Sequence, residues 1–161
     1  EKSMMKKWLF CLVGVIFSCS VLAQTEEQAQ KELKRYQDMK PLAEQMLRES
    51  GKLYYAMPEA ASQYQQGNIE EWKNIKKGLK QLDEQASKLG DDPFDPVYGS
   101  CIKMKNQLQD YWSNVIRDDR QFLERSRNQF KEYRMDCFDS FVFGKEQIES
   151  RKGLVILDLT K

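Results

Sequence analysis

From Ser100 to Phe143 the chain contains neither glycine nor proline, and no other stretch limits the fold as much. A segment of that length, with nothing to free or block the backbone, is predicted to be mostly helix. Leu108, Tyr111, Trp112, Val115, Phe122, Phe130, Tyr133, Phe138 and Phe141 supply most of its apolar surface. Cys101 and Cys137 lie near its two ends, 36 positions apart. In one straight helix, at ~1.5 Å per residue, they would be about 54 Å apart, whereas bridged Cα atoms lie within ~7 Å. If the two pair within one chain, the helix must reverse. The midpoint is Asp119, inside Arg117-Asp118-Asp119-Arg120, where an aspartate can cap a new helix. We therefore expect an α-hairpin closed by a Cys101–Cys137 disulfide. One pattern argues otherwise: Met104, Leu108, Tyr111, Val115, Phe122, Phe130 and Tyr133 keep helical phase through the turn. A continuous helix would instead pair the cysteines across an antiparallel homodimer.

Pairing requires an oxidising compartment, and the start of the chain predicts one. Lys6 and Lys7 precede an apolar run from Trp8 to Phe17, followed by Val21-Leu22-Ala23. Charged, apolar and small-residue parts come in the order of a secretory signal, and the run is short for a membrane span. Residues 1–23 read as a short leading extension, Glu1 to Ser3, plus a signal peptide cut after Ala23. Residues 24–161 then form a single helical domain in the periplasm or outside the cell. A second cut, before Cys19, would leave a lipid-anchored envelope protein, although Phe17 is bulky for a lipoprotein signal.

Within residues 24–161, Thr25 and Gln28 form a capping box that opens a helix. Ala29, Leu33, Tyr36, Ala43 and Leu47 give it an apolar stripe. Pro41 predicts a kink or a junction near Lys40, Gly51 a weak point, and Pro58 the start of a separate short helix ending at Gly67. A second helix runs from Asn68 to Gly90 on Ile69, Trp72, Ile75, Leu79, Leu82, Ala86 and Leu89. Two prolines and three aspartates make residues 91–99 a loop. Gly144 is expected to end the long helical stretch, Ile148 to sit in a last turn or two, and Leu154–Leu157 to dock as a short apolar tail. The expected fold is all-α, a small bundle of four to six helices.

The chain has no histidine, which removes the usual general base at neutral pH and the imidazole metal ligand. With no glycine-rich phosphate loop and acidic residues paired to basic neighbours along helices, no catalytic group is assigned. Asp91, Asp92 and Asp95 lack the spacing of a calcium loop and read as a turn, so no metal or cofactor is expected. Removing Lys2, Lys6, Lys7 and Glu1 from 26 basic and 25 acidic side chains leaves a net charge near −1. Nothing in that balance recruits nucleic acid. The remaining expectation is a non-enzymatic protein-binding domain, such as an inhibitor or immunity protein acting on an envelope-targeted toxin or hydrolase. The alternative is an assembly accessory or chaperone of an envelope machine. The stiff loop with Asp92, Phe94, Asp95 and Tyr98 is the expected partner-binding surface. The aromatic pairs Tyr54-Tyr55 and Tyr111-Trp112 are expected in the core, although each pair spans two helical faces and leaves one member able to face solvent.

Overall fold

The computed structural model describes residues 26–153, with side chains through Arg151. Both proposed leader cuts and the Leu154–Leu157 tail lie outside the described residues. Four helices follow in order: α1 (Glu26–Gln65), α2 (Glu70–Leu89), α3 (Gly99–Arg117) and α4 (Arg120–Gly153), with no strand among the described residues.

Each helix runs opposite to the one before it. Along α1, Arg35 reaches the Leu89 carbonyl, Glu49 meets Gln85, and Tyr64 stacks on Trp72, so α2 descends as α1 rises. Lys105 of α3 bonds Asp83 of α2. Asn114 reaches Ser126 at one end of the α3–α4 pair, and Cys101 reaches Cys137 at the other. The last helix lies antiparallel to α1, because Tyr36 packs on Gly144 while Tyr54 stacks on Phe130. Every helix pair touches except α2 and α4. The bundle is thus flattened, with α1 and α3 meeting across its short diagonal.

The core contains much of the expected stripes, although Phe122 and Phe138 of α4 lie exposed outside it. In α2, Ile75, Leu79, Leu82, Ala86 and Leu89 are buried, while Ile69 at the helix start is exposed and Trp72 is half-buried under Tyr64. The Asn68 side chain accepts the Glu70 N–H at 3.2 Å, and Gly90, at φ 123°, ends the helix by donating to the Ala86 carbonyl. Gly67, at φ 88°, stops α1.

Three expected breaks are absent. Pro41 and Pro58 both lie inside the 40-residue α1, so no second or third helix begins at either. An interior proline costs ~3 kcal/mol, and the buried residues on both sides of each, from Ala43 to Leu47 and from Met57 to Ala61, outweigh that local loss. Gly144 does not end α4, which continues to Gly153 with Ile148 fully buried. Its role is spatial. A Cβ there would stand 2.5 Å from the Tyr36 ring, and that ring is fixed by its hydroxyl donating to the Phe141 carbonyl at 2.7 Å.

Between α3 and α4 the chain turns at Asp118 and Asp119. Asp118 takes the left-handed conformation at φ 49°, which short polar side chains tolerate better than most, and Asp119 Oδ1 accepts the Phe122 N–H. The sulfur atoms of Cys101 and Cys137 stand at bonding distance, 2.04 Å, with their Cα atoms 4.6 Å apart, and both residues are fully buried.

Candidate functional site

The 91–99 loop is built on two aspartates. Asp92 Oδ1 accepts the Phe94 N–H at 2.8 Å, while Asp95 Oδ1 accepts those of Val97 and Tyr98 at 2.8 and 2.7 Å. Arg35 then clamps the loop from α1, one nitrogen on Asp95 Oδ2 and the other on the Leu89 carbonyl. Burial alone would push the Asp95 carboxyl up. The Tyr98 amide, the Arg35 guanidinium and the Val97 amide together outweigh it and hold the group below its ordinary value.

Tyr98 is fully buried and donates to the Tyr36 carbonyl at 2.6 Å. Burial, with Tyr36 beside it, drives its hydroxyl pKa well above the usual range. Of the four residues expected to meet a partner, Asp95 and Tyr98 therefore face the protein and hold the loop. That correction has a plain cause: an aspartate followed by free amides caps its own turn, and an aromatic at the start of a helix falls into the core. Asp92 and Phe94 remain at the surface, Phe94 with 83% of its area exposed and Lys103 Nζ 5.5 Å from its ring centre.

A larger apolar face lies on α4. Its buried positions, Phe130, Cys137, Gly144 and Ile148, mark the core side. Met135, Phe138 and Val142 follow one another at spacings of three and four, facing away from the core or toward its edge, and all are exposed. Phe138 packs edge-on against Phe141, over which Lys40 of α1 places its ammonium at 5.2 Å. On the other side of Met135 stands Tyr55 of α1, 80% exposed. For the first aromatic pair the outward member is thus Tyr55. In the second, both Tyr111 and Trp112 are buried, because α3 is packed against all three other helices.

Between Tyr55 and Met135 the surface opens into a pocket of about 310 Å³, lined by Gly51, Tyr54, Tyr55, Phe130, Lys131, Arg134 and Met135. Tyr54 forms its back wall, with ring centres 4.9 Å from Phe130, 5.0 Å from Tyr111 and 5.2 Å from Tyr55. Arg134 crosses over α1 at Gly51, where a Cβ would lie 3.2 Å from its Nη2. The Arg134 Nε is buried and has no acceptor. A wider and more polar cleft of about 470 Å³ lies near the α3–α4 turn, between Asp110, Arg117, Phe122 and Arg125.

No sequence pattern announced the pocket. Its only trace is Gly51 inside a helix, which needs a tertiary reason to be there. Among the described residues no group of acidic or cysteine side chains is placed to hold a metal ion, and no helix is long and apolar enough to cross a membrane. Set beside protein-family models, curated proteins and solved structures, the chain matches none of them.

Proposed function

We propose that this chain is an exported binding protein, a disulfide-closed helical hairpin packed against two further helices, that grips another protein through the outer face of α4 and the adjoining end of α1. Inhibition or immunity against an envelope-targeted toxin or hydrolase is the role we assign to that grip. The observation that carries the binding reading is the exposed run Met135, Phe138 and Val142 beside Tyr55. Monomeric proteins rarely leave large apolar side chains clustered in water unless a partner covers them. Aromatic residues and methionine are also the types enriched in interface centres. Phe94, on the 91–99 loop, offers a second anchor. The paired cysteines support an address outside the cytoplasm, where such bonds persist.

The test is purification of the full chain from its native envelope with whatever protein it retains, followed by the same experiment with Phe138→Asp. Placing a charge in the centre of a buried interface should reduce retention at least about tenfold, with helical content and thermal midpoint unchanged. Phe94→Ala should weaken it less. If Phe138→Asp retains the partner as well as the parent, the α4 face is not the contact. If the partner's own activity is unaltered by a stoichiometric amount of this chain, the inhibitor role fails and scaffolding takes its place.

A further inference from the structure

We propose that the Arg134 pocket is the specificity site of this interface, receiving an acidic side chain of the bound protein flanked by apolar residues. The inference rests on the reading of the α4 face as a docking surface and adds to it the chemistry of what docks. Three observations point the same way.

The first is the orphaned guanidinium. Among the described residues Arg134 has neither an ion pair nor a hydrogen bond, and its Nε is shut away from solvent. Buried donors are almost always satisfied, and Arg134 lines a pocket whose other lining residues include no carboxylate, so the acceptor its guanidinium lacks would arrive with a ligand. Several part-buried cations elsewhere have an acidic partner, Arg35 with Asp95, Lys105 with Asp83 and Arg151 with Glu32, while Lys40 and Lys103 lie over aromatic rings instead. The second is the companion charge. Lys131, one helical turn earlier, lines the same pocket and is likewise without an acidic partner, so the site presents two positive groups and no carboxylate. The third is the wall. Tyr54, Tyr55, Phe130 and Met135 offer an apolar lining in which a charge-assisted hydrogen bond is poorly screened. A carboxylate on an aliphatic stem would set its stem against the rings and its oxygens on the guanidinium, which suits this mixed lining.

Gly51 makes the arrangement available. With no side chain of its own, it lets the Arg134 fork lie across α1 at a separation that a Cβ would tighten.

The probe is the peptide Ac-Leu-Glu-Leu-amide, with Ac-Leu-Gln-Leu-amide as its uncharged counterpart, titrated to ten millimolar into the full disulfide-bonded chain while backbone amide resonances are followed. The expected result is a set of shifts confined to residues around Gly51, Tyr55 and Met135, with the Glu peptide binding about tenfold or more tighter than the Gln peptide. Arg134→Met should abolish the preference, and Arg134→Lys should keep part of it while preserving charge and fold. Equal binding of the two peptides overturns the proposal, as does the absence of local shifts in the parent. So does a pocket already filled by a second copy or by residues 154–161, revealed by a dimer in sedimentation or by pocket resonances that move when those residues are removed. Failure here, together with loss of partner on Phe138→Asp, would leave the docking face standing and remove only its acidic specificity.

Discussion

Asp95 shows how one side chain can hold a loop and carry a pH dependence. Its folded-state pKa lies below the ordinary value, so the folded protein releases this proton more readily than the unfolded chain. The stability it contributes is complete above the unfolded carboxylate pKa of about 4 and is lost as pH falls through the folded one. Thermal midpoints measured from pH 6 down to pH 2 should therefore fall less steeply for Asp95→Asn than for the parent. Parallel curves would show that the Arg35 clamp holds equally well without the charge. The sequence showed Asp95 as an acidic loop residue and suggested it as a contact. The role it has instead depends on Arg35, sixty positions away, which no local pattern could reveal. The exposure of Phe94 on a stiff loop was legible because the cue was local: two prolines and an aspartate constrain the backbone around it.

At the scale of the element, apolar spacing located α2 to within a residue or two, and the Asp118-Asp119 pair marked the end of α3 and the start of α4. Where the reading stopped short, the deciding contact lay on another helix. Glycine and proline carry a local meaning as breakers, yet Gly144 sits within α4 because Tyr36 occupies the space a side chain would need. Gly144→Ala gains up to ~1 kcal/mol of helix propensity. It should nonetheless destabilise by about 1–3 kcal/mol, since the Tyr36 ring is tied at both its hydroxyl and its backbone carbonyl and has little room to yield. Chemical denaturation of the two proteins side by side measures the difference. The Gly78 position provides a control, because a Cβ there meets the end of the Leu53 side chain, which can rotate away.

For the whole molecule, the bond between Cys101 and Cys137 joins the two helices that share the most contacts, α3 and α4. Closing that loop is worth about 3 to 4 kcal/mol on the chain-entropy account. Replacing both cysteines by serine should lower the unfolding free energy by roughly that amount, and the parent should run as a monomer on a non-reducing gel. A covalent dimer would show that the sulfurs are exchanged between chains. The helical fold class could be read from spacing, and the nearness of Cys101 and Cys137 was one of two arrangements that spacing allowed, the other being a pairing between two copies. The exposed apolar face of α4 could not be read, because a helix with apolar residues on more than one side gives no sign of which side its neighbours leave uncovered. On α4, Phe130 and Cys137 turn inward while Met135 and Phe138 do not, and only the positions of α1 and α3 distinguish them.

The Arg35 clamp also bears on how this molecule withstands proteases. Phe94 is an open cleavage site for an enzyme that prefers aromatic residues, but such enzymes must draw several residues into an extended strand before cutting. With Asp92 and Asp95 curling the segment and Arg35 anchoring it to α1, that extension is resisted. Chymotrypsin should leave the parent intact under conditions in which Arg35→Ala is nicked after Phe94, so the clamp keeps an exposed aromatic on display without making it a point of digestion.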